Sequence, residues 1–307
     1  MNILIIGLGS IGRKHINAIK SLNNNSNIYA LRSNSNGESE PGVKNIYNLN
    51  ESIVDFDFAI IANPTHLHYE FIEKLTQKNI PLIIEKPAVN SLKDVNKLVD
   101  LIEKKQVTTY VACNLRFHPC ILFLKNKLKT EKLRINELNV YCGSYLPDWR
   151  PGKDFRKIYS ANSSMGGGVH LDLFHELDYT TWLFGLPNKS QSLFRNVSSL
   201  KIDAVDYVNY ILHYDNFAAH ITLNYYRRKP KREIEIVFDD ETWTVDLIKN
   251  VIKNDSDEYL FEAPDFDIMD TYVSQIEYFT SCLKKNEMPM NSFKDSIANL
   301  KICLDNE

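Results

Sequence analysis

"NILIIGLGSIGRKHINAIKSL", residues 2–22, is the stretch whose reading decides the fold. A short apolar run leads straight into Gly7, Gly9 and Gly12, spaced G-x-G-x-x-G, and a helical pattern follows on Ile11, His15, Ile16 and Ile19. Strand, glycine turn and helix together are the context in which that spacing has a mechanism. Gly7 makes the tight turn, Gly9 lets backbone amides approach a pyrophosphate, and Gly12 lets the helix lie close on the strand. The anion then meets the helix N-terminus, where unbonded N–H groups and the helix dipole favour negative charge. The stretch predicts a dinucleotide site.

Working outward, "NIYALRS" at 27–33 reads as the second strand. An acidic residue about twenty positions beyond the glycines would hold the ribose 2′-hydroxyl of NAD. This chain has Arg32 and Ser33 there. A cation beside a hydroxyl suits a 2′-phosphate, so NADP(H) is the favoured cofactor and NAD(H) the alternative. "FDFAIIANPTHLHYEFIEKL" and "IPLIIEKPAVNSLKDVNKLVDLIEKK" repeat the strand–loop–helix pattern, and "TTYVACNLRFHP" adds a further strand. Alternation at this spacing means a parallel, doubly wound sheet. Ligands in such sheets bind beyond the carboxyl ends of the strands. That places Asn63–Pro64, Glu85–Lys86–Pro87 and Asn114–Arg116 around one crevice. His66 and His68, two apart at a helix start and without acidic or cysteine company, predict no metal site.

A chain of 307 residues is long for one core, so two domains are expected: 1–120 for the dinucleotide fold and 121–307 for the rest. A net charge of −3 argues against a surface that coats nucleic acid. The five cysteines are scattered without Cys-x-x-Cys spacing, which predicts thiols in a reducing compartment. No apolar run reaches membrane-spanning length, and the first residues lack the basic start of a secretory signal. A cytoplasmic protein, with neither membrane nor nucleic acid as partner, is expected. "SLNNNSN" and "RSNSNG" read as loops.

The pattern changes after residue 133. "RINELNVYCGSYL", "VDYVNYILHYD", "FAAHITLNYYRR", "KREIEIVFDD" and "TWTVDLIKN" alternate apolar with polar residues between short turns, which predicts a mostly antiparallel sheet. "RRKPKRE" at 227–233 reads as a solvated hairpin turn. The fold class is therefore α/β: a doubly wound parallel sheet plus an α/β domain with a large, mostly antiparallel open sheet. Two helical patterns, "DIMDTYVSQIEYFTSCLKKN" and "SFKDSIANLKICLDN", close the chain. Residues 143–165 form a long connection carrying Arg150, Lys153, Arg156 and Lys157 beside Tyr145, Trp149 and Tyr159. So long a loop is either a solvated charged segment or a lid that binds an anionic substrate.

"GGGVHLDLFHELDY", residues 166–179, packs three glycines, two histidines and three carboxylates together. As a helix from about Leu171 it sets Asp172, His175, Glu176 and Tyr179 on one polar stripe. The stripe reads either as an acidic first turn complementing the helix dipole or as the substrate side of an active site. In the second reading the glycines admit cofactor or sugar.

Lys86 ends an apolar strand and precedes Pro87, which limits where its ammonium goes. A lysine held there can polarise a carbonyl or hold a hydroxyl beside a nicotinamide. Five ordered segments, "GLGSIGRKH" at 7–15, "ANPTHLH" at 62–68, "EKP" at 85–87, "NLRFHP" at 114–119 and "GGGVHLDLFHELD" at 166–178, resemble the Gfo/Idh/MocA oxidoreductase family over nearly the whole chain. The softer wording "YLPDWRPG…YSA" resembles its branch linked to bacterial surface-glycan or nonulosonic-acid biosynthesis. The resemblance implies terminal helices packing back on the first domain and a homodimer or homotetramer built through the second sheet. It implies Lys86 on the reacting oxygen, His175 as proton donor or acceptor, and Asp172 as a partner that positions substrate. It further implies cofactor contacts from Gly7, Gly9, Ser10, Ile11, Gly12, Arg32, Ser33, Asn63, Pro64, His68, Glu85 and Lys86. Arg116, Tyr145, Trp149, Arg150, Arg156, Lys157 and Tyr159 are the substrate-binding candidates. One departure from the family pattern stands out: D-x-x-x-H spacing from Asp172 lands on Glu176, whereas His175 keeps the downstream H-x-x-D with Asp178.

The expected function is an NAD(P)-dependent sugar dehydrogenase or reductase acting on an acidic or nucleotide-linked sugar. A glycosidase-type member using tightly bound NAD for transient oxidation and a dinucleotide sensor without turnover are the alternatives.

Overall fold

The computed structural model describes residues 1–22, 25–32, 40–49 and 54–305. The chain divides into two compact units. The first holds Met1–Asn114 with Asp267–Ala298, and the second holds Leu115–Phe266 with Asn299–Glu307.

In the first unit the opening stretch folds as strand β1 (Asn2–Ile6), the glycine turn and helix α1 (Ser10–Ser21). Ile3, Leu4 and Ile5 are fully buried, and α1 buries Gly12, His15, Ile16, Ala18 and Ile19 on one face. Strands β2 (Asn27–Leu31), β3 (Val43–Ile46) and β4 (Phe58–Ile61) follow, then helix α2 (His68–Gln77), β5 (Leu82–Glu85), helix α3 (Val95–Lys105) and β6 (Thr109–Ala112). Among the described residues these strands form one parallel sheet in the order β3-β2-β1-β4-β5-β6. The order reverses at β1, so the ends of β1 and β4 open a switch point where such sheets bind ligands. Strand β3 was not anticipated from sequence; its burial pattern lacks a run of buried positions. Ser33 and most of "RSNSNG" lie outside the described residues, as does part of "SLNNNSN".

The second unit opens with helix α4 (Pro119–Thr130) and strand β7 (Ile135–Tyr145). Short 3-10 turns occupy 146–165, leading to a one-turn helix α5 (Val169–Asp172) and helix α6 (His175–Phe184). Strands β8 (Lys189–Arg195), β9 (Tyr207–His213), β10 (Ala218–Asn224), β11 (Tyr226–Phe238), β12 (Thr242–Asp246), β13 (Val251–Lys253) and β14 (Tyr259–Glu262) complete the sheet. Its order is β14-β13-β12-β11-β7-β10-β9-β8, and every neighbouring pair is antiparallel except β7 with β10. Alternate residues of β9 and β10 are buried, so one face carries the core.

One expectation is overturned here. "RRKPKRE" is not a hairpin turn: it lies inside β11, one continuous strand. Pairing with β7 shifts register between Tyr226 and Lys231. Pro230 sits in that irregular stretch, where its missing N–H leaves no ladder bond broken. Tyr225 is the single residue between β10 and β11.

Helix α7 (Ile268–Lys285) begins with a capping box made by Asp267 and Asp270, and it packs on α1 within the first unit. Phe279 meets Phe58 edge-on. Helix α8 (Phe293–Leu304) runs from the first unit, where the Phe293 N–H bonds the Thr109 hydroxyl, into residues of the second. No described helix is long and apolar enough to cross a membrane.

Candidate active site

The glycine turn in the first unit is built for close approach. A Cβ on Gly12 would stand 2.1 Å from the Gly7 carbonyl oxygen, and one on Gly7, whose φ is +97°, would stand 2.7 Å from the Asn63 backbone. Gly9 differs: a Cβ there would meet nothing within 4 Å, so open space faces it. Helix α1 has Gly9 at its N-cap, no side-chain cap and no acid in its first turn. Its leading N–H groups therefore have no capping side chain to accept them, which is the condition for seating a phosphate. Both amide atoms of Asn63 are buried without a hydrogen-bond partner. Such a buried polar pair is costly unless a ligand or water completes it. These residues fit a dinucleotide. Gly12→Ala is expected to drive a methyl into the backbone of the turn, with NAD(P)H binding lost in a fluorescence titration.

Ser10 is exposed and Pro64 lies on the outer side of the loop after β4. Arg32 follows β2, its N–H bonded to the Ile46 carbonyl at 2.9 Å. Glu85 and Lys86 emerge half-buried at the end of β5, and the Lys86–Pro87 peptide is cis. Glu85 is not facing outward alone: its Oε1 lies 2.6 Å from His15 Nε2. His68 opens α2. It is 1% exposed, and its ring nitrogens lie 2.9 Å from the Asn63 carbonyl and 3.1 Å from that of Ala88. Burial lowers its pKa, opposed by those carbonyls. His68 lies between two strand-end loops, and its neutral ring donates to one of the two carbonyls.

In the second unit the stretch 166–179 does not form one helix. It breaks between α5 and α6 at Leu173 and Phe174, so no continuous polar stripe exists. Each carboxylate has instead been claimed by a distant side chain. The Tyr225 hydroxyl donates to Asp172 Oδ2 at 2.5 Å. Burial first, and the Asp172 charge second, push the Tyr225 pKa well up, so it remains a donor. Glu176 is fully buried and accepts from Arg232 Nε at 2.6 Å. Burial works against the Arg232 charge, but the Glu176 carboxylate more than offsets it and raises the pKa. Half-buried His175 opens α6.

Arg116 is 4% exposed, with Nε 2.9 Å and Nη2 2.7 Å from the two oxygens of Asp178, itself 1% exposed. This is a bidentate, desolvated ion pair. A Cβ on Gly167 would lie 2.2 Å from the Tyr159 carbonyl oxygen and one on Gly168 2.6 Å from the His170 ring, so the chain closes on itself at both.

The 143–165 connection is partly anchored. Ile158, Ser160 and Ala161 are buried, and the Tyr159 hydroxyl donates to the Gly166 carbonyl at 2.7 Å. Trp149 donates to the Ser144 hydroxyl and meets Tyr225 edge-on. Tyr145 lies under the Arg228 guanidinium at 4.3 Å. Arg150, Lys153, Arg156 and Lys157 are exposed.

Sequence reading missed His15 and Tyr225. A histidine among isoleucines on the buried face of α1 was the available signal for the first. For the second, the signal was the lost alternation in "LNYYRR".

Comparison with known proteins places this architecture. Residues 1–113 match the model of an oxidoreductase family with an NAD-binding Rossmann fold, and 134–244 match the GFO/IDH/MocA C-terminal domain. The chain is 25% identical over 190 residues to the rhizopine catabolism protein MocA of Rhizobium meliloti, covering 59% of this chain and 56% of that protein. It is 28% identical over 186 residues to glucose-6-phosphate 3-dehydrogenase of Bacillus subtilis, covering 59% and 53%. The matched part thus spans about half the length of these curated relatives. In fold it resembles the WlbA dehydrogenase of Bordetella pertussis, solved with NADH and UDP-GlcNAcA, at a TM-score of 0.82 and 18% identity over 98% of this chain and 93% of that one. Both halves of one two-part architecture are matched in order, and the chain belongs to the Gfo/Idh/MocA oxidoreductase family.

Proposed function

We propose that the protein is an NAD(P)-dependent oxidoreductase that moves a hydride between nicotinamide and a sugar hydroxyl or carbonyl. The observation that carries this reading is the uncapped N-terminus of α1 beside the unpartnered amide of Asn63, in the parallel sheet from whose β5 end Lys86 emerges. Bound there, the dinucleotide supplies the hydride acceptor or donor. Gly7, Gly9, Ser10, Ile11 and Gly12 hold its phosphates through backbone N–H groups and close packing, and Asn63 completes its amide bonds on it. Lys86 donates to the reacting oxygen and stabilises the charge that develops there. The His175 imidazole takes or returns the hydroxyl proton. Asp172, steadied by Tyr225, orients substrate.

The sugar is acidic or nucleotide-linked. Exposed Arg150, Arg156 and Lys157, with Trp149 and Tyr145 in the same connection, support an anionic group bound by guanidinium and a ring laid on an aromatic face. The protein works in the cytoplasm, a reading supported by five buried cysteines that form no disulfide. It assembles as a homo-oligomer through the less buried face of the second sheet, which size-exclusion chromatography with light scattering checks.

NADP(H) is the cofactor, on the strength of Arg32. The native protein is expected to bind NADPH more tightly than NADH in a fluorescence titration. Arg32→Ser is expected to weaken NADPH about tenfold, the worth of one charge-assisted hydrogen bond, and to leave NADH unchanged. A clear native preference for NADH overturns the argument. The activity itself is tested by following nicotinamide absorbance across a set of UDP-sugars and free uronic acids. Turnover only on neutral, unlinked sugars overturns the substrate class.

A further inference from the structure

Two buried histidines of the first unit grip the same four-residue segment from its two ends. His15, on α1, is fully buried. Its Nε2 lies 2.6 Å from Glu85 Oε1, whereas its Nδ1 is buried with no hydrogen-bond partner. With a proton on Nε2 the ring donates to the carboxylate. The ring is held from another side by Tyr272, edge-on at 5.4 Å between centroids, over which the Lys14 ammonium sits at 5.2 Å. Glu85 passes the constraint on, because its Oε2 accepts the backbone N–H of Lys86 at 3.3 Å. At the far end, the His68 ring is wedged between the Ala88 carbonyl at 3.1 Å and the Asn63 carbonyl at 2.9 Å, donating its one N–H to one of them. Lys86 and Pro87 lie between the two fixed points.

We propose that His15 and His68 act as a two-point clamp on Glu85–Lys86–Pro87–Ala88, and so are positioning residues that set where the Lys86 amine stands. The physical need is plain. A lysine side chain has four rotatable bonds, so the placement of its ammonium begins with a fixed backbone beneath it. Neither histidine touches solvent, so neither is available to substrate directly. The clamp also couples elements that must agree for hydride transfer. His15 stands on the helix proposed to seat the phosphates, and His68 packs against the carbonyl of Asn63. The proposal rests on the reading that Lys86 contacts the reacting oxygen.

The test uses the full chain and two amides that differ by one methylene in reach, His15→Asn and His15→Gln, beside His68→Leu and Lys86→Ala. For each, kcat, the sugar KM, the NAD(P)H dissociation constant and the melting temperature are measured. His15→Gln, long enough to donate to Glu85, is expected to keep most of the native kcat. His15→Asn, too short, is expected to lower kcat about ten- to a hundredfold at saturating cofactor, the scale of an ångström-sized misplacement. The sugar KM and the cofactor dissociation constant should change little. His68→Leu should behave as His15→Asn does. A merely structural role lowers melting temperature in both amides without splitting their kcat, and that result overturns the clamp. So does a kcat loss that vanishes at saturating NAD(P)H, which would put the effect on the cofactor. Native turnover in Lys86→Ala sinks the reading of Lys86 itself. Loss in Lys86→Ala with equal, native kcat in all histidine variants sinks the clamp alone.

Discussion

Lys86→Ala is expected to lower kcat about 10²–10³-fold, the usual cost of removing one donor from a developing oxyanion, while NAD(P)H affinity stays near native. Lys86 follows β5, whereas the proposed phosphate seat is the turn at Gly7–Gly12, whose backbone does not depend on the amine. His175→Ala is expected to lower kcat about 10²–10⁴-fold, the range for loss of a general acid or base. Residues that serve one proton transfer act as a unit, so the double variant should be little slower than the worse single one. The measurement is steady-state turnover on a sugar the native enzyme uses, paired with a fluorescence titration of cofactor. Native turnover in either single variant refutes the assignment of that residue.

Arg116→Ala is expected to cost about 3–5 kcal/mol of stability, because it strands the Asp178 carboxylate without its cation. For a chain of this size that is a fall in melting temperature on the order of 10 °C. The geometry makes the loss large. Both carboxylate oxygens are within 2.9 Å of the guanidinium, and neither side chain reaches appreciable solvent. Asn299 Nδ2, at 3.4 Å from Asp178 Oδ1, is a poor replacement. Removing both partners, as Arg116→Met with Asp178→Leu, is expected to recover most of the stability, since an apolar pair of similar volume carries no desolvation cost. A substrate-binding role predicts the reverse, a raised KM with an unchanged melting curve. Differential scanning calorimetry of the three variants separates the two.

Much of the first unit was legible because its signals are local. A strand, three glycines at fixed spacing and an amphipathic helix occupy consecutive residues, and each glycine's reason lies within one turn of chain or at the next strand end. The apolar runs of β4 and β5 and the periodicity of α2 and α3 are of the same kind. The second sheet was legible by its alternation, with one failure. The polar run around Pro230 looks like a turn because sequence shows a missing donor, not the bulge that makes the donor unnecessary.

The stretch 166–179 shows where local reading ends. Its residue types promised chemistry, and its spacing promised one helical face. The break at Leu173–Phe174 separates Asp172 from His175 in different helices. Asp172, Glu176 and Asp178 then find Tyr225, Arg232 and Arg116, each more than fifty positions away in sequence. His15 and Glu85 are likewise 70 positions apart.

The sequence by itself determined the fold class, the dinucleotide turn and the family, since these rest on spacing along the chain. Only the tertiary structure decided which polar residues hold the architecture and which remain for chemistry. It set Arg116, Glu176 and His68 against buried partners. The reason is desolvation: a buried charge or ring nitrogen must find its complement, and where that complement lies is fixed by packing, not by position in the chain.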